Sequence, residues 1–297
     1  MTAIALFGGL FFMGLANVIS YIVDYHNAQQ ASAALREAYY ADDVMEPETS
    51  ADPLQEAPVP TQTPVPTAVP QITATPPTML EAVRYPGNYY AGISSRFQKI
   101  RRQNKDIIGW LTIDDMIDEA VVQRDNKYYL NRDYRGYHNV NGAIFLDENC
   151  DLSTRPYTLM LYGHNMKTGA MFGNLRNYEN PAYYKNNPFI TFDTAYEDGR
   201  YVIFAVCTIS TYPSSLRYVD FAKMCSSVIS WREEALQSLL KWSVYASDIK
   251  VSADDQLLFL ITCVDDESER RVVAARRICE DETEEELLEI VKWTRQN

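Results

Sequence analysis

The sequence predicts a mainly β domain with interspersed helices, an α+β architecture built on a barrel with insertions. Three observations carry this. Short apolar runs recur between turn residues from Gly109 onward, mixed with helical stretches. One run, LLFLITC at Leu257–Cys263, is continuously apolar and fits a strand buried on both faces. A short acidic loop and RRVVAARRI, Arg270–Ile278, follow it, so the two runs read as a hairpin.

Taken in order, the chain opens with Met1–Tyr25, almost wholly apolar and without charge before Asp24. That length suits a transmembrane anchor, and a cleaved signal would need basic residues ahead of a shorter apolar core. Residues 26–78 read as a juxtamembrane stalk and linker. Asn27–Tyr40 is rich in Ala and Gln and extends the helix, whereas Ala41–Thr78 is Pro, Thr, Ala and acid. Proline at that density favours extended structure, so the linker reads as a semi-rigid spacer that lifts a domain off a surface.

Residues 79–297 form the expected catalytic domain, complete in a chain that begins at Met79. Glu81–Asn104 looks helical, with a break near Pro86-Gly87. Strands are expected at Gly109–Ile113, Glu119–Gln123, Gly142–Asp147, Thr158–Asn165, Phe189–Phe192 and Arg200–Ile209. Gly169–Tyr178 has helical character. A long helix is expected over Ser230–Tyr245, with Ser230 and Glu233 as a capping box and Trp231, Leu236, Leu239, Leu240 and Trp242 as its apolar face. The last helix starts at Thr283, again with a capping-box pattern through Glu286.

The net charge of -13 argues against a nucleic-acid binder. Five cysteines, at 150, 207, 225, 263 and 279, show no CxxC and no metal spacing, so neither a disulfide scaffold nor a zinc site is expected. Only three histidines exist, His26, His138 and His164. His26 lies beside the anchor and His138 in a polar loop. His164 closes the apolar run LYGHN, as Cys263 closes LLFLITC. Taken alone, such a cysteine is more often a core thiol than a nucleophile, and such a histidine is more often structural. Together with an arginine opening the next strand they make the minimal set for thiol acyl transfer: a nucleophile, a general acid and a cation near the oxyanion.

Six segments in one order resemble the class B sortases. They are NKDIIGWLTID, VVQRDNKYYLN, GAIFLDENC, LYGHNMKTGAMFGNL, FLITC and RRVVAARRI, from Asn104 to Ile278, and the YGHNM segment is the most specific. The resemblance implies an eight-stranded sortase barrel with N-terminal helices and a long helix inserted before the nucleophile strand. It implies His164, Cys263 and Arg270 as catalytic residues, with Arg271 as the alternative should the register slip by one. Substrate-binding positions carried over are Asn126, Leu130, Thr211, Leu216 and Thr262. No metal and no organic cofactor is implied. The implied partners are secreted proteins bearing a C-terminal sorting signal and an amine on a peptidoglycan precursor or a pilin. The implied location is the extracellular side of a Gram-positive cell membrane.

Two departures stand out. Phe259 replaces the first Thr of the family's TLxTC, and the loop Val264–Glu269 is short and acidic, with Asp265 read as a solvated carboxylate before a helper. Two rival readings remain from the residues: a thiol hydrolase of wall peptides that needs no Arg270, and a tethered binding domain without chemistry. Within the sortase reading, wall anchoring and pilus assembly stay open.

Overall fold

The computed structural model describes residues 2–41, 92–264 and 268–297. In chain order the elements are α1 (Thr2–Tyr40), α2 (Ser95–Ile100), β1 (Ile107–Ile113), β2 (Ile117–Val122), β3 (Ile144–Leu146), β4 (Thr158–Tyr162), α3 (Pro181–Asn186), β5 (Phe189–Thr194), β6 (Arg200–Ser210), α4 (Phe221–Met224), α5 (Ile229–Leu240), β7 (Tyr245–Ala246), β8 (Leu257–Cys263), β9 (Glu269–Arg277), α6 (Glu284–Lys292) and β10 (Arg295–Gln296). Eight strands close a barrel in the order β1-β2-β3-β4-β8-β9-β6-β5.

Position in the barrel explains the composition of β8. It lies between β4, to which it runs parallel, and β9, to which it runs antiparallel. With both edges paired and both faces covered, every residue from Leu257 to Thr262 is buried, which is why the run is apolar without alternation. Leu111, Val121, Leu161, Phe192, Phe204, Leu260 and Val273 belong to one core cluster. β7 and β10 form a separate two-stranded sheet.

A second cluster corrects the stalk reading. The helix does extend to Tyr40, but its last turns pack onto the barrel. Leu35 and Tyr39 are buried with Phe97, Ile100 and Trp110. The Tyr39 ring stacks on Trp110 with centroids 4.2 Å apart, and its hydroxyl donates to Asp193 at 2.7 Å. Arg36 meets the Asp118 carboxylate at 2.7 Å. On α2, Arg96 reaches the Tyr39 hydroxyl at 3.0 Å, so the end of α1 and the start of α2 touch. These are tertiary contacts of single side chains, invisible in an Ala- and Gln-rich run.

Among the described residues, no helix is long and apolar enough to cross a membrane. The anchor read from Met1–Tyr25 falls mostly on side chains outside the described residues, as do the Pro/Thr linker and the chain from Met79 to Ala91. Of the helix expected over Glu81–Asn104, the described part is helical at Ser95–Ile100.

The inserted helix differs from expectation at both ends and on one face. α5 starts at Ile229 with Val228 as its cap and no side-chain cap bond, so Ser230 sits inside the first turn and the expected capping box does not form. Trp231 is 52% exposed, and its neighbour Arg232 is buried instead. Burial is tolerated because the guanidinium is matched: Arg232 donates to the carbonyls of Ala253 and Ser226, each at 2.8 Å, and stacks over Tyr157. The capping box at Thr283 and Glu286 forms as its residues suggest.

Candidate active site

β4 and β8 run parallel with Tyr162 opposite Ile261. Two residues further along the chain in each case are His164, just past the end of β4, and Cys263, the last residue of β8. Side chains alternate in a strand, so Ile261 and Cys263 share one face of β8. A cavity of about 360 Å³ opens there, lined by Asn126, Leu130, Ala143, Phe145, Tyr162, Gly163, His164, Ile261, Thr262, Cys263 and Arg270.

β9 brings the cation. Cys263 lies directly opposite Arg270, and Thr262 opposite Arg271. Directly opposed side chains on one face have Cβ atoms about 4.5–5.5 Å apart. Arg270 therefore sits on the Cys263 face. Arg271 turns to the other side, where its Nε and Nη2 donate to Glu179 Oε1 at 3.1 and 2.7 Å. Arg270 Nη1 donates to the Glu269 carbonyl at 3.1 Å.

Two glycines shape the histidine. A Cβ at Gly163 would lie 2.9 Å from the Phe172 ring, so the close approach of that ring requires glycine just before His164. Gly142 has φ +62° and packs against the carbonyls of Tyr129 and Leu130, where a Cβ would sit at 2.7 Å. The Leu130 carbonyl held there lies 2.6 Å from His164 Nε2. A carbonyl only accepts, so Nε2 carries a proton and Nδ1 is the nitrogen left for proton exchange.

Cys150 and Cys207 differ from Cys263. Burial pushes Cys150 and Cys207 up to about 12. Both stay protonated near neutrality and are shut away from solvent. Cys263 is half-buried and borders the cavity. Its cross-strand neighbour by register is Arg270.

The remaining expected residues separate into two groups. Asn126, Leu130 and Thr262 line the cavity. Asn126 is fixed at both ends of its amide, donating to Asp147 Oδ2 at 3.0 Å and accepting from Glu148 N at 2.9 Å. Thr262 is buried, and among the described residues its Oγ1 has no hydrogen-bond partner. Thr211 and Leu216 do not line the cavity. Thr211 is tied by its amide and hydroxyl to the Ser268 carbonyl, and Leu216 is 88% exposed on the loop beyond β6. Asp265 lies outside the described residues. Tyr162 was not expected at the site, although its place two residues before His164 is a signal the sequence offers. Its hydroxyl reaches Asp147 Oδ2 at 3.2 Å, beside Asn126. Among the described residues, no group of three or more His, Cys, Asp or Glu could hold a metal ion.

The profile of the family described as "Sortase domain" matches residues 111–278. Over 186 residues the chain is 30% identical to sortase B of Listeria monocytogenes, covering 59% of this chain and 70% of that one. Over 190 residues it is 28% identical to sortase B of Staphylococcus aureus, covering 63% and 75%. The crystal structure of sortase B from B. anthracis superposes with a TM-score of 0.63 at 25% identity, over 87% of this chain and 100% of that one. The S. aureus sortase B–substrate complex gives a TM-score of 0.57 at 26% identity, over 64% and 88%. A family match over more than half its length, class B relatives and their eight-stranded barrel thus agree: the chain belongs to the sortase family, as a class B sortase and hence a cysteine transpeptidase.

Proposed function

We propose that Cys263, His164 and Arg270 carry the transpeptidation, and that the substrate is a C-terminal sorting signal on a secreted protein. The observation that supports this reading is the one cavity that the three side chains share. The Cys263 thiolate attacks the scissile carbonyl carbon, and the carbonyl π electrons move to its oxygen. The Arg270 guanidinium stabilises that developing oxyanion. As the tetrahedral species collapses, the C–N bond breaks and His164 hands a proton from Nδ1 to the departing amine. The product is a thioester on Cys263 and a released C-terminal peptide. An incoming amine then attacks the thioester, loses a proton to His164 and leaves with the acyl group on a new amide bond, regenerating the thiolate.

Asn126, Leu130 and Thr262 border the path of the peptide. The acceptor is an amine on a cell-wall peptide. S. aureus sortase B has been solved with substrate, and a sortase B has been solved with triglycine; the same two substrate classes are proposed here. The apolar Met1–Tyr25 segment anchors the enzyme in the membrane of a Gram-positive cell, with the barrel outside. The test uses the full chain in detergent with a panel of sorting-signal peptides and triglycine. Wild type forms a thioester, seen as a mass increment on the Cys263 peptide, and then a triglycine-capped product. Cys263→Ala and His164→Ala abolish both. Cleavage that survives in Cys263→Ala defeats the proposal.

A further inference from the structure

The parallel ladder between β4 and β8 stops short of the chemistry. Its last backbone bond runs from Gly163 N to Ile261 O at 3.3 Å. Beyond it, the turn after His164 closes on itself: Phe172 N donates to His164 O at 3.0 Å, and Asn165 pairs with Met171. His164 thus stands past the end of β4, and Cys263 past the last backbone bond that joins β8 to it. Among the described residues, the bond that joins the two ends beyond that point comes from a side chain. Asn165 Nδ2 donates to Val264 O at 2.8 Å, across 99 residues of sequence. Val264 directly follows Cys263, and its N–H is held on the other side by the Glu269 carbonyl at 3.2 Å. Val264, the residue after the nucleophile, is therefore clamped by its carbonyl to the turn that carries the histidine and by its N–H to the arginine strand.

We infer that Asn165 is a positioning residue for the transpeptidation, a side-chain rung that fixes the spacing of His164 and Cys263. This rests on the assignment of those two residues to the chemistry. Asn165 does not line the cavity, so it acts through Val264 and not on the peptide. A rung of this kind sets how a thiol and an imidazole meet, and a misplacement of about 1 Å costs on the order of 100-fold in rate.

The test compares the full chain with Asn165→Asp, which keeps the shape and loses the donor, Asn165→Ala, and Asn165→Gln, which keeps a donor on a longer stem. Two quantities are read: kcat and KM for a cleaved sorting peptide, and the pH profile of Cys263 alkylation by iodoacetamide, followed on its own peptide by mass. Asn165→Asp and Asn165→Ala should lower kcat about 10- to 100-fold with KM within about twofold, and should displace the alkylation profile. Asn165→Gln should recover part of both. The inference is overturned if both variants keep kcat within about twofold. It is equally overturned if kcat or the melting temperature falls while the profile stays in place, since Asn165 then serves the substrate or the fold. A failure of the underlying assignment looks different: wild type forms no Cys263 thioester, or Cys263→Ala still cleaves.

Discussion

Arg270 and Arg271 are adjacent on one strand, and the structure assigns their loss to different observables. Arg271 is 8% exposed in its side chain, and its partner Glu179 is 49% exposed. Arg271→Ala removes two donors from one carboxylate oxygen, but that carboxylate already reaches water and rehydrates. The penalty for a stranded buried charge therefore does not apply in full. Hydrogen bonds to a charged group contribute about 1.5–3 kcal/mol, and the half-exposed partner places this pair near the lower end, about 2 kcal/mol. For a domain of this size that is a fall in Tm of about 4–8 °C. Turnover should stay within several-fold of wild type, because the side chain points away from the cavity. Arg270→Ala should do the reverse. Its guanidinium sits on the Cys263 face, and on the proposed role as an oxyanion donor its loss costs about 100- to 1,000-fold in kcat. Lysine at 270 should rescue poorly, since a point charge does not replace the planar fork. The assay is kcat and kcat/KM on a cleaved sorting peptide, with thermal melts of each variant. A folded Arg271→Ala enzyme that is nearly inactive, beside an active Arg270→Ala enzyme, would refute the register argument.

Two further outcomes concern stability. Burial pushes the Cys150 and Cys207 thiols up to about 12, above the value of about 8.5 for a free thiol. The folded state holds these protons more tightly, so their contribution is complete below about pH 8.5 and is lost as pH rises toward 12. The urea midpoint should fall across that window, and Cys207→Ala should flatten the fall by up to about 1.4 kcal/mol per pH unit; an unchanged slope would contradict it. A chain that begins at Met79, complete on the sequence reading alone, loses Leu35 and Tyr39 and uncovers Trp110. It should melt well below a chain that begins at Asn27, and Tyr39→Ala in the longer chain should by itself cost about 3 kcal/mol; equal melting temperatures would show that the helix adds nothing to the barrel.

What the sequence disclosed and what it hid follow from the range of the interactions. The barrel strands were legible because burial writes itself into local composition, as in LLFLITC. The facing of Arg270 was legible because a strand has a period of two and the hairpin is short. Contacts made by one side chain across long separations were not. Nothing around Tyr39 announces that it stacks on Trp110, far along the chain, and nothing around Asn165 announces Val264. Trp231 was misread for a related reason: periodicity assigns an apolar ring to the inside, whereas the carbonyls of Ala253 and Ser226 let its neighbour Arg232 be buried instead. Thr211 and Leu216 came from a match of segments in which loop geometry, not residue type, decides what a side chain touches.

A spacer is useful only if it separates what it joins. Tyr39 and Arg96 lie within a hydrogen bond of each other, so the stretch between them departs from one patch of the barrel and returns to the same patch. Length added there gives the enzyme no reach while α1 stays docked. A proteolytic nick in that stretch would leave two chains held together by the Tyr39–Trp110 stack and its neighbours. The distance from the end of that helix to Cys263 is thus a property of packing.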